Sequence, residues 1–239
     1  MPSTEIRVKL KKLGRGRTAN VLQRFFKIGP GEYGEGDVFL GIRVHQLRKL
    51  AKEYQDAELE VIEELLRSSI HEERLLALLI LVRAYSSGDT RDKARLYRFY
   101  LRHTRYINNW DLVDASAEHI VGDFLMDKDK TPLYRLARSR SLWERRISIM
   151  ATFHFIKHGG FSETLRIATL LLVDKEDLVH KAVGWMLREV GKRDLKVEEA
   201  FLRDHCKRMP RTMLRYAIER LPEFKRQKYL TEMILALYS

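Results

Sequence analysis

From Val44 to the C-terminus, apolar residues return every three or four positions in runs of about ten to seventeen residues, the spacing of one buried face on a helix. The pattern predicts helices over 44–54, 57–67, 72–86, 91–103, 109–126, 131–138, 142–157, 161–172, 177–191, 195–207, 210–220 and 222–236. Almost nothing alternates with the two-residue period of a strand. The breaks SSGDT (86–90), DKDKTP (127–132) and HGG (158–160) are short, which makes consecutive helices antiparallel neighbours. Four glycines and a proline in IGPGEYGEGD (28–37) forbid a stable helix, so a long loop is expected there. It lacks the Gly-Lys-Ser/Thr ending of a phosphate-cradling loop. Residues 1–43 therefore read as a variable N-terminal region ahead of the regular helices.

Helix pairs recur about every 35 to 40 residues, the period of helical-repeat arrays. The Trp, Gly and Tyr signature of one such array is missing, which leaves an all-α, HEAT-like solenoid, an α-α superhelix whose concave face is a binding surface. The whole chain, 1–239, reads as one such domain. A globular helical bundle is the alternative.

Composition narrows the function classes. Hydrophobic residues make up 45% and charged residues 33%, an ordinary folded composition. Lys plus Arg number 45 against 33 Asp plus Glu, a net charge of +12 that favours polyanionic partners such as nucleic acid. A single cysteine, Cys206, excludes an intramolecular disulfide and a thiolate metal cluster. The charged N-terminus does not read as a signal peptide, and no apolar run approaches the roughly 18 residues of a membrane span. A cytoplasmic protein with no membrane association is expected. The eight histidines form no recognisable metal-binding spacing, so neither a metal nor a cofactor is implied.

Candidate chemistry begins at NNWDLVDAS (108–116). At 100° per residue, Val113, Ala117, Ile120, Val121 and Phe124 share a face, with Trp110 near its middle and Asp114 at its edge. Asp111, Glu118, His119 and Asp123 fall toward solvent on the same wheel, and Asn108 or Asn109 can cap the helix. A carboxylate beside apolar surface needs a donor, and for an isolated Asp the ordinary reason is an ion pair or cap. In SLWERRISIMATFHFIK, Arg145 points off the apolar face while Arg146 falls on it between Met150 and Phe153. The Arg146 fork suits a carboxylate or a phosphate, so Asp114 and Arg146 make a coherent pair, either for chemistry or as a strut. In HKAVGWMLREV (180–190), Trp185 borders an apolar face with Lys181 and Arg188 beside it, an arrangement suited to phosphate and sugar. Arg138, Arg140, Arg211 and Arg215 are further candidate phosphate contacts, although any one of them alone reads as solvated surface. The basic start KLKKLGRGR reads as either a phosphate-contacting arm or a solubilising helix.

WDLVDAS, WERR and HKAVGWMLRE, in that order within an all-helical chain, resemble the AlkD-type DNA alkylation repair family, and the likeness runs from FLGIR near Phe39 to the C-terminus. The resemblance implies a DNA glycosylase that excises purines alkylated at N3 or N7 from duplex DNA; because no lysine is singled out as a Schiff-base nucleophile, a monofunctional enzyme that hydrolyses without strand cleavage is expected. By the same resemblance Asp114 matches the catalytic carboxylate, Arg146 the active-site arginine, and Trp110 and Trp185 the aromatics bordering the lesion. No obligate protein partner is implied, and a monomer is expected. Two departures stand out. Asn109 occupies a position where better-known members carry tryptophan, and the segment Gly29 to Gly36 replaces a region that is helical there and approaches DNA. They keep open a noncatalytic DNA-binding relative and a protein-interaction scaffold.

Overall fold

The computed structural model describes residues 2–235, which form an all-α helical-repeat fold in two compact units that divide between Ile120 and Val121. The described residues contain one isolated parallel bridge, Val38 to Ile70.

In the first unit, α1 (Ser3–Leu13), α2 (Gly16–Phe25), α3 (Val44–Glu53), α4 (Leu59–Leu66), α5 (His71–Ser87), α6 (Thr90–Arg102) and α7 (Trp110–Asp114) follow in order. Helix α5 packs against α3, α4, α6 and α7. It is buried continuously from His71 to Leu78, so its first two turns have neighbours on all sides, and exposed polar residues return only from Arg83 onward. The basic start is a docked helix. Ile6 and Leu10 of α1 are fully buried, and Arg7 reaches Glu73 of α5 at 3.1 Å.

The segment after α2 is a chain of turns, in agreement with its glycine content. Glu72 of α5 pins the far end, accepting from the backbone N–H groups of Leu40 (2.9 Å), Gly41 (2.8 Å) and Ile42 (3.2 Å). Gly41 has φ +81°, and a Cβ there would lie 2.3 Å from the carbonyl oxygen of Arg15, so α2 closes down at a point only glycine permits.

The second unit contains α8 (Asp123–Leu125), α9 (Thr131–Ala137), α10 (Leu142–Lys157), α11 (Ser162–Leu170), α12 (Asp177–Gly191), α13 (Leu195–His205), α14 (Arg211–Ala217) and α15 (Glu223–Leu235). Helix α10 packs on α9, α11 and α12, and α12 in turn packs on α11, α13 and α14. Gly184 makes the last of these contacts close, because a Cβ there would lie 2.4 Å from the Met213 carbonyl oxygen. The bounds of α10 and α12 coincide with the ranges 142–157 and 177–191 read from the sequence.

The helix expected over 109–126 is interrupted. Helix α7 stops at Asp114, a turn follows, and Glu118–Gly122 winds as a π turn before α8. The buried Ser116 hydroxyl donates to the Leu112 carbonyl at 2.6 Å, a back-bond that competes with regular winding. This break also corrects the helical-wheel reading: Glu118 is buried rather than facing solvent, whereas His119 is exposed as expected.

Candidate active site

Helix α7 begins at Asn109, whose extended backbone and side-chain oxygen cap it by accepting from the Trp110 N–H at 2.8 Å. Trp110 and Asp114 follow one turn apart, and both are half-buried. Phe26 stacks on the indole with ring centroids 5.2 Å apart and planes 13° from parallel, while the exposed Phe25 meets it edge-on at 5.8 Å. Asp114 stands at the point where the winding breaks, and π turns of this kind often accompany functional residues. Burial, reinforced by the charge of Asp114, pushes the Tyr100 phenol well above its ordinary pKa. Tyr100 remains a neutral hydroxyl, 3.0 Å from Ser116 Oγ.

Beneath α7 lies a charged network spanning three segments distant in sequence. Asp37, from the glycine-rich segment, meets Arg74 Nη2 at 2.6 Å through Oδ1. Its Oδ2 meets His71 Nδ1 at 3.0 Å and accepts from Asn109 Nδ2 at 3.3 Å. The other His71 nitrogen lies 2.8 Å from Asp111 Oδ2. Asp111 is therefore an ion-pair partner of a buried side chain rather than the solvent-facing residue expected. Burial pulls the His71 imidazolium toward lower pKa, but the hydrogen bonds it donates to Asp111 and Asp37 outweigh it, and the pKa is pushed up to about 9. Burial likewise works against the ionised Asp37, yet His71 and Arg74 hold its carboxyl below the usual range. Asn109, which stands where a further aromatic was expected from the family likeness, is fully buried in this network.

The sequence reading singled out none of Asp37, His71, Glu72 and Arg74. The available signal was HEER (71–74) heading the leucine-rich run of α5, four polar residues that are all nearly inaccessible in the fold. A polar cluster entering so apolar a helix announces buried partners elsewhere.

In the second unit, Arg146 is 4% exposed on α10, as its place on the apolar face implied, and it donates to the Leu178 carbonyl at the start of α12. Arg145 points the other way and holds Asp174 at 2.6 Å. On α12, Val179, Ala182, Met186 and Val190 are fully buried, and Trp185 is half-buried at their border. Its indole N–H donates to Glu189 at 3.2 Å, and Phe153 of α10 lies 6.2 Å away by ring centroid. The two cations beside it are engaged: Lys181 pairs with Asp177 at 2.7 Å, and Arg188 with Glu219. Arg138, Arg140, Arg211 and Arg215 are exposed, with Arg138 lying 6.0 Å over the Tyr134 ring. Among the described residues no group of three His, Cys, Asp or Glu side chains is arranged to hold a metal ion, and no helix is long and apolar enough to cross a membrane.

Fold and side chains together define an all-α helical-repeat protein carrying a half-buried carboxylate at a helix break and two half-buried tryptophans, Trp110 and Trp185. The chain belongs to the DNA alkylation repair enzyme family, whose model matches residues 6–221. Membership supports a role in DNA repair, with DNA as the substrate class. Among solved structures, a predicted DNA alkylation repair enzyme from Enterococcus faecalis is similar with a TM-score of 0.67 and 17% sequence identity, over 88% of this chain and 97% of that one. At that identity the likeness speaks for the fold. No curated protein matches the sequence.

Proposed function

We propose that the protein is a monofunctional DNA glycosylase that hydrolyses the N-glycosidic bond of N3- or N7-alkylated purines in duplex DNA. The observation that carries this reading is Asp114, a half-buried carboxylate placed where the helix breaks, one turn from an indole. A purine alkylated at N3 or N7 is cationic and leaves without a general acid. As the bond breaks, positive charge moves to the deoxyribose, as in other glycosyl transfers. A fixed carboxylate beside that sugar stabilises the developing cation and orients the attacking water. Indole faces attract cations by about 0.5 to 2 kcal/mol, a role assigned to Trp110 and Trp185. The buried Arg146 guanidinium is assigned to the DNA backbone near the lesion. Arg138, Arg140, Arg211 and Arg215 are assigned to more distant phosphates, and Lys181 and Arg188 exchange their carboxylate partners for phosphate on binding.

The test incubates the protein and its Asp114→Asn variant with methylated duplex DNA and follows free 7-methylguanine and 3-methyladenine by mass spectrometry. Release by wild type, reduced about 10²- to 10³-fold in the variant as when one fixed electrostatic group is removed, is the expected outcome. Equal release by both would sink the assignment of Asp114. Two observations favour a second reading, a DNA-binding relative without turnover: Phe26 covers a face of Trp110, and Asn109 offers no further aromatic. Salt-sensitive DNA binding with no base release by wild type would select it.

A further inference from the structure

His71 is 2% exposed and both of its ring nitrogens face carboxylate oxygens, Asp37 at 3.0 Å and Asp111 at 2.8 Å. A carboxylate only accepts, whereas a neutral imidazole has one donor and one acceptor, so both contacts are satisfied only by the doubly protonated ring. Asp111 lies in the first turn of α7, and its second oxygen is buried without a hydrogen-bond partner. His71 therefore sets its orientation. Asn109, which caps the same turn, donates to the Asp37 oxygen that His71 also holds. Phe26 packs on the imidazole at 4.9 Å and on the Trp110 indole at 5.2 Å, so the ring layer extends from His71 to the candidate site.

We infer that His71 is a positioning residue that clamps the first turn of α7 to Asp37 of the glycine-rich segment, and so fixes the orientation of Trp110 and Asp114. The inference rests on the reading of α7 as the helix that carries the working carboxylate. The charged groups facing the ring are Asp37 from the glycine-rich segment, Asp111 from α7 and Arg74 from its own helix. Loss of one ring proton leaves two carboxylates on a single donor. Asp37 keeps Arg74 and Asn109, so Asp111 is the carboxylate released, and the first turn of α7 loses its hold on His71.

The test labels the full chain with 5-fluorotryptophan, which gives one ¹⁹F resonance for each of the three tryptophans. The Trp110 resonance is identified by Trp110→Phe. Titration of the wild type from pH 7 to 10.5 is expected to move this resonance with a midpoint at about 9. His71→Gln abolishes the transition, and Asp111→Asn, which keeps the Asp37 contact should the first variant fail to fold, lowers its midpoint. In the base-release assay His71→Gln lowers kcat by about tenfold or more at pH 7.5, with KM changed less than threefold, the pattern of a misplaced catalytic group. A Trp110 resonance unmoved through pH 10.5, a His71→Gln variant that titrates like wild type, or one with full kcat overturns the inference. The resonance needs no substrate, so failure of the glycosylase reading and failure of the clamp remain distinguishable.

Discussion

Replacing His71 by Gln removes an imidazolium held between two carboxylates in a 2% exposed site, and the cost depends on pH in a way the geometry fixes. An imidazole that titrates near 6.5 when free and at about 9 in the fold binds its proton about 3 kcal/mol more tightly in the native state. Because the folded value is the higher one, this stabilisation is fully present below pH 6.5, declines between 6.5 and 9, and is lost above 9. Urea unfolding of wild type and variant at pH 6 through 10 measures it as the gap between the two free energies. The gap cancels every other group that titrates in the same range. It is expected to shrink by about 3 kcal/mol across that window, leaving the packing cost of the substitution as a constant remainder. A gap that stays constant, or that widens as pH rises, would refute the claim that a protonated His71 bridges Asp37 and Asp111.

Two further outcomes follow from other parts of the molecule. Glu198 is 2% exposed with one carboxyl oxygen lacking a hydrogen-bond partner, and burial, reinforced by Glu199, pushes its pKa up to about 8. Its raised folded value means that stability falls as pH rises from 4.5 to 8, so Glu198→Gln should match wild type near pH 4.5 and be the more stable above pH 8 by chemical denaturation. For the exposed arginines of α14, if each contacts a phosphate, Arg211→Ala with Arg215→Ala should lower the slope of log affinity against log salt by about two on duplex DNA. An unchanged slope removes both from the DNA contact set.

Much of the fold could be read from the chain because helical periodicity is local. The limits of α10 and α12 were readable because their apolar residues recur without interruption between short polar breaks. The same wheel placed Arg146 among apolar residues and Asp114 at an edge, and the structure buries the first and half-buries the second. The wheel failed beyond Asp114, because it assumed regular winding where the Ser116 hydroxyl takes the Leu112 carbonyl and a π turn follows. It failed at Asp111 for a different reason. That residue does leave the apolar stripe of its own helix, but what covers it is His71, 40 positions earlier in the chain.

The sequence by itself determined the all-α repeat character, the limits of uninterrupted helices such as α10 and α12, and the residue types at the candidate site. All of these depend on patterns within one or two turns, or on motifs a few residues long. Only the tertiary structure decided which charges are buried and with whom. An Asp or His in a dry interior is costly alone and stable only against a partner, and the partners of Asp111 and Asn109 are contributed by α5 and the glycine-rich segment. That segment, Asp37 and His71 acquire their meaning from each other, after the chain has brought them together.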